Sequence, residues 1–339
     1  MRARQVLGAA AVAALAACSG GELPVQTAPS AGGEGQNEPS VCPITGRVPP
    51  PGVDLDRPAV AVKIENSREA RPQSGLENAD VVFEEIVEGG ITRFLAVYHC
   101  GDSDRAGPVR SARYDDPKIA KPFTRILGFS GSNRIVQREL RRRRMIALTE
   151  LDTSDAFFRV PPGNRDIHSL FVDVSKLRAA VRRRKLGPPR TVFAFGPVPR
   201  GASAARSATI HFNASNEIRY RFRGGLWRRW EGGEPFRTKR GRQIAVPNVV
   251  IQQVDVSNSR TIVDPAGNPS PDIALVGRGK AWLLRNGKAI EGRWKIARRG
   301  APTIFTTRRG ARFAFARGPI WVELVPSRKG DVRGSVAIR

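Results

Sequence analysis

Histidine, methionine and cysteine are scarce in this chain: of 339 residues, three are His, two are Met and three are Cys. His99, His168 and His211 are scattered, without an HxxEH-like or HxH partner. That excludes the usual metal-ligand spacings, and no metal or other cofactor is implied. Paired acids of the glycosidase kind are also missing, because Asp255, Asp264, Asp272 and Glu291 fall in unrelated turns and strands. A nucleophile elbow is absent as well: no Gly stands at the required spacing before Ser130 or Ser132. Acidic residues are few, 31 against 57 Lys and Arg, for a net charge of +26. Such a balance favours polyanions. Yet no zinc-finger, helix-turn-helix or aromatic RNA-platform pattern accompanies the basic runs Arg138–Arg144 and Arg182–Lys185, so no nucleic-acid partner is expected.

What is present begins with an export signal. Arg2 and Arg4 form a positive start, and Val6 to Ala14 is an apolar run too short for a permanent span. Leu15-Ala16-Ala17-Cys18 completes a bacterial lipobox, so residues 1–18 read as a lipoprotein signal peptide with Cys18 the lipidated residue. More than one acyl chain on Cys18 suffices for stable anchoring. The expectation is a protein held on the outer face of the cytoplasmic membrane, where the available polyanions are lipid headgroups and wall polymers. Residues 19–40, rich in Gly, Ser, Pro and Gln, read as a solvated tether. Cys42 and Cys100 remain, an even pair in a compartment that permits disulfides; a bond between them is expected, two free thiols being the alternative.

The rest of the chain is long enough for two domains. Residues 41–189 read as a mixed α/β domain. Val60 to Ile64 is a β-branched apolar run, and the runs Val81–Val87 and Ile91–Val97 meet at Glu88-Gly89-Gly90, a hairpin signal. Residues 111–121 read as helical, and 123–129 as a strand delivering Ser130-Gly131-Ser132-Asn133 to a helix over 135–145. Strand, small turn and helix in that order place ligands at the carboxyl ends of strands. Residues 173–185 read as a basic helix ending at Leu186-Gly187-Pro188-Pro189. Residues 190–328 carry short alternating runs punctuated by Gly, Asn, Pro and Asp, the texture of an antiparallel β-rich domain, with Asn286-Gly287 a strong hairpin turn. Residues 329–339 read as a tail. All five tryptophans lie in this second half; they suit either sugar stacking or a small β core.

The candidate site centres on residues 71–113. Arg93, Arg110 and Arg113, with Ser111, Glu88 and Asn66 nearby, suit a phosphate, sulfate or carboxylate, because a guanidinium is a planar donor fork. The same arginines suit, as the commoner arrangement, a partly buried ion network with Glu84, Glu85 and Glu88. His168, two residues after Asp166, reads either as a general base served by Ser130 or Ser132 or as a hydrogen-bonded loop residue. Capping of the next helix is the competing duty of Ser132 and Asn133.

AVAVKIENSREARPQSGLENADVVFEEIVEGGITRFLAVY and GPVRSAR, followed by NVVIQQVDV, LVGRGKAWLLRNGKAIEGRWK and GPIWVELVP, resemble the YerB-like bacterial lipoproteins. The resemblance runs from Arg57 to Pro326 and implies a two-domain lipoprotein, α/β first and β-rich second, with no assigned activity. Where members of the family carry an HxGGS-type turn, this chain has Gly128-Phe129-Ser130-Gly131-Ser132 and lacks the upstream His. Its later His168 keeps the family's His without the preceding Pro. Three functions follow as expectations: binding of an anionic envelope ligand at the three arginines, hydrolysis or transfer on an envelope polymer through His168, or a non-catalytic scaffold docking by its basic surface.

Overall fold

In the computed structural model, residues 40–339 are described, so the signal peptide, Cys18 and all of the tether but Ser40 lie outside the described residues. The apolar runs form β1 (Val60–Glu65), β2 (Val81–Ile86) and β3 (Thr92–Tyr98), each buried along its whole length. Burial of every position, without alternation, marks strands covered on both faces. β2 and β3 pair antiparallel, and Gly89 and Gly90 between them both adopt positive φ, 69° and 72°, which costs a glycine no steric strain.

β4 (Ile126–Gly128) and β5 (Ile146–Leu148) lie parallel beside β1, joined by α2 (Arg134–Arg142). This is where the α/β syntax is realised. Elsewhere the first half is strand-dominated: α1 (Asp116–Ala120) and α3 (Val174–Ala179) are one or two turns long. The expected helix over 111–121 starts late because Asp116 Oδ2 accepts the Arg113 N–H at 2.6 Å, and the residues before it are drawn out along β1. A mixed α/β first domain is thus corrected to a largely β one.

The main sheet does not stop at the sequence boundary between the halves. Its order runs Ile304–Thr307, Lys288–Ile296, Gly277–Arg285, Asn248–Val254, Ile320–Pro326, β2, β3, β1, β4, β5. Ile320–Pro326 lies parallel to both β2 and Asn248–Val254, so the second half is not purely antiparallel. Both halves therefore share one sheet within the unit Pro39–Arg339. A smaller sheet, built on the meander Ser207–His211, Glu217–Arg223 and Leu226–Glu231, takes Ser335–Ile338 as an edge strand. The segment read as a tail therefore carries a paired strand, too short and half-polar for its alternation to stand out. Trp227, Trp294 and Trp321 are buried in the core, while Asn286 and Gly287 turn with φ of 49° and 67° as an Asn-Gly hairpin requires. Cys42 and Cys100 are bonded, with Cα atoms 6.0 Å apart.

Candidate functional site

The sheet carries charge inside it, on both faces. Glu65 of β1, Arg93 of β3 and Glu85 of β2 stand in register across three strands, and Lys63 shares their face two residues earlier. Lys63 Nζ binds Glu85 and lies 2.7 Å from Asp116 Oδ1 at the start of α1, with all three side chains sealed from solvent. Burial, with Asp116 and Asp115 adding to it against Lys63, pushes the Glu85 carboxyl up to about 8. Lys63 is thus matched to Asp116, and Glu85 is held neutral beside them below that pH.

The neighbouring part of this face is where the predicted arginines gather. The segment Gly107–Arg110 runs alongside the end of β1, with the Glu65 N–H donating to Pro108 O and the Arg110 N–H to Lys63 O, both at 3.0 Å. β4 ends beside it, the Ser130 N–H donating to Arg110 O at 3.0 Å. Arg110 Nε lies 3.1 Å from Glu65 Oε1, without the alignment of a hydrogen bond. Glu65 Oε2 meets His168 Nδ1 at 2.8 Å. Arg113 Nε donates to Glu88 Oε2 at 2.5 Å, and the other Glu88 oxygen accepts from Ser270 Oγ at 2.6 Å. Arg93 and Arg113 share one acceptor, the Ser111 carbonyl, at 3.0 and 3.2 Å. Burial first, then the adjacent Arg113 and Arg110, pushes Arg93 below the ordinary arginine value. The guanidiniums are therefore close enough to repel one another.

Two carboxylates, Glu65 and Glu88, answer three guanidiniums here. The Nε atoms of Arg93 and Arg110 and the Oγ of Ser132 are buried with no hydrogen-bond partner. Arg110 and Arg113 keep about a fifth of their side chains open, 20% and 17%, and His168 24%. The cluster is thus reachable from solvent at Arg110, Arg113 and His168, with the unpartnered Arg93 Nε buried behind them. The alternative of an ion network holds only in part: Arg113 does pair with Glu88, but Glu85 is served by Lys63 and Glu84 by a residue of the other half.

Some predicted residues are placed otherwise. Among the described hydrogen bonds, Ser111 contributes its carbonyl and no hydroxyl contact. Asn66, one residue beyond Glu65, turns to the opposite face, where its Nδ2 donates to Thr92 Oγ1 at 2.8 Å and Glu231 Oε1 at 3.0 Å. There Arg229, wholly buried, binds Glu84 and Glu231 at 2.7 Å and Glu323 at 3.1 Å, under the rings of Phe236 and Trp321. The acid beside the His168 ring is Glu65; Asp166 instead accepts the His168 backbone N–H at 2.6 Å. Among the described hydrogen bonds, neither Ser130 nor Ser132 reaches the His168 ring, so no nucleophile and base are in contact. Ser132 does not cap α2; Asn133 does, accepting the Val136 N–H at 2.9 Å. Among the described residues no group of His, Cys, Asp and Glu could hold a metal ion, and no helix is long and apolar enough to cross a membrane.

Two family models match the chain: the N-terminal domain of a protein of unknown function, DUF3048, over residues 44–187, and the C-terminal domain of the same family over 208–322. YerB of Bacillus subtilis, named as a candidate lipoprotein, is 28% identical over 293 residues, covering 84% of this chain and 86% of its own. The crystal structure of YerB from Bacillus subtilis superposes with a TM-score of 0.74 at 25% identity, over 88% of this chain and 99% of that one. The chain belongs to the YerB-like family. Glu65, Arg93, Arg110, Arg113 and His168 all lie in the YerB-like N-terminal domain. Ser270, which holds Glu88, comes from the C-terminal one, so the two domains meet at the edge of the cluster.

Glu65, Lys63 and Arg229 are the residues that sequence reasoning missed. The available signal was a charge inside an apolar run, as in Val62-Lys63-Ile64-Glu65, because Lys and Glu are almost never fully buried unless paired.

Proposed function

We propose that this chain is a lipid-anchored, extracytoplasmic binding protein that holds a small anionic group of a cell-envelope ligand among Arg93, Arg110 and Arg113. One observation carries the reading: three crowded guanidiniums face two carboxylates, and the Arg93 Nε–H is buried without an acceptor while that of Arg110 meets Glu65 at 3.1 Å out of hydrogen-bond alignment. A buried donor left unpaired costs about 1–3 kcal/mol. A phosphate, sulfate or carboxylate entering past Arg110 and Arg113 accepts from these guanidiniums and offsets the repulsion by Arg113 and Arg110 that adds to burial in depressing Arg93. His168, steered by Glu65, stands at the rim.

Anchoring is supported by Leu15-Ala16-Ala17-Cys18 and by the lipoprotein name of the Bacillus subtilis relative. The lipobox directs the folded part to the outer face of the membrane. Cys18→Ser abolishes incorporation of a fatty-acid label in cells if this is right; a labelled Cys18→Ser chain rejects the anchor.

The site is tested by thermal unfolding of the protein in rising inorganic phosphate and glycerol phosphate. At a ligand concentration a hundred times Kd the gain is about 2.7 kcal/mol, a rise in Tm of several degrees. Arg110→Ala keeps the fold and loses the rise. An equal rise in Arg110→Ala, or none in the wild-type chain with any phosphate, sulfate or carboxylate probe, removes the proposal.

A further inference from the structure

A second cationic surface lies on the paired strands Gly277–Arg285 and Lys288–Ile296, away from the residues of the first site. Arg278 pairs with Lys295 and Lys280 with Arg293 across these strands. All four are exposed, while Trp294 between them and the next pair, Ala281 and Gly292, are buried in the core. Strand alternation therefore puts the four cations on one outward face, with Trp282 half-buried at the next step and Glu291 opposite it. Like charges set directly opposite each other destabilise a sheet. Two consecutive pairs of that kind form a ladder that the fold itself does not need.

The ladder lies in a trough rather than on a flat face. A cleft of about 360 Å³ over Lys280 and Arg293 shares Arg278 and Lys280 with a neighbouring cleft of about 490 Å³, which adds Arg328 and Lys329. It shares Glu291 and Arg308 with another of about 420 Å³, which adds Arg200 and Arg309. The carboxylates along it are already engaged: Glu291 lies 3.7 Å from Arg308, and Asp255 accepts from the Ser327 hydroxyl.

We infer that this trough binds a linear polyanion carrying one phosphate per short repeat, laid along the strands. Cations on alternate residues of a strand recur about every 7 Å, twice the rise per residue, which suits a chain of evenly spaced single charges. A concave track fits a polymer and not the plane of a bilayer. One half-buried tryptophan is too little for the successive base stacking that single-stranded nucleic acid requires.

The test uses the full-length chain in an uncharged detergent and labelled inorganic polyphosphate, read by fluorescence anisotropy over a range of salt. The double variant Lys280→Gln, Arg293→Gln binds roughly tenfold more weakly, and its log K against log salt slope is shallower by about 1.4, two phosphate contacts at about 0.7 each. Its thermal stability is equal or higher, because a repelling pair has gone. The double variant keeps the rise in Tm that inorganic phosphate gives the wild type, which separates this trough from the first site. Unchanged affinity in the double variant overturns the inference. So does tighter binding of single-stranded DNA than of polyphosphate, or displacement of polyphosphate by phosphatidylglycerol vesicles at lower phosphate concentration than free polyphosphate requires.

Discussion

Replacing Arg229 with Met is the sharpest test of how the two halves are held together. Arg229 lies on the smaller sheet, and two of its partners, Glu84 and Glu323, lie side by side on the main sheet, at 2.7 and 3.1 Å. A third carboxylate, Glu231, lies at 2.7 Å and also binds Arg71. Met fills much of the same volume against Phe236 and Trp321 but leaves the carboxylates buried without their shared cation. Breaking a buried ion pair from one side costs about 3–5 kcal/mol, so a loss of about 4 kcal/mol is expected near pH 8. The sign with pH follows from the carboxyls. Burial and Glu84 already hold Glu323 well above the usual carboxylate range, and burial with Glu84 raises Glu231 against the pull of Arg229. Without the guanidinium Glu323 and Glu231 rise further, so the folded variant binds more protons than its unfolded chain. Its stability is then greatest near the ordinary glutamate value of about 4.5 and is lost as pH climbs. Urea unfolding at pH 5 and pH 8 measures this: the deficit against wild type should be larger at pH 8. Adding Glu84→Gln and Glu323→Gln to Arg229→Met should restore much of it, since the charges left uncompensated are then gone. A deficit below about 1 kcal/mol, or one equal at both pH values, refutes the argument that Arg229 is the clamp.

Glu85 gives a second pH test. Its carboxyl is raised to about 8 by burial, so the stability it lends is complete below about 4.5 and is lost as pH rises through 8. Glu85→Gln should flatten the stability profile between pH 6 and 8, while Asp80 and Asp115, both raised to about 6 by burial, keep the slope below pH 6; parallel profiles would contradict the assignment. Reducing the Cys42–Cys100 bond, which spans a sequence separation of 58, should cost about 4 kcal/mol by loop entropy, read as a fall in the urea midpoint with reductant. A midpoint unmoved by reductant argues against that linkage.

How much of this was legible depends on whether the cause is local. Gly89-Gly90 and Asn286-Gly287 announce their turns because positive φ is a property of those residues alone, and the hairpins follow. The runs that become β1, β2 and β3 are plain for the same reason. Nothing local says that β2 pairs with Ile320–Pro326, more than two hundred residues away, and so the sharing of one sheet by both halves had no sequence signal. The guanidinium cluster was half visible. Arg93, Arg110 and Arg113 do converge, yet their main carboxylate, Glu65, looked like the end of a strand, because its partner His168 arrives from a distant loop. Asn66 was assigned to the wrong side, since adjacent strand residues face opposite ways and only the register of β1 decides which one meets the arginines.

The central claim is that the arginine cluster receives an anion, and the Nε–H of Arg93 reports it most directly. Its ¹⁵N resonance, assigned by its absence in Arg93→Lys, should shift on addition of the anion that raises Tm and saturate with the same midpoint. A resonance that stays in place while the protein is stabilised would contradict the account and put the bound anion elsewhere.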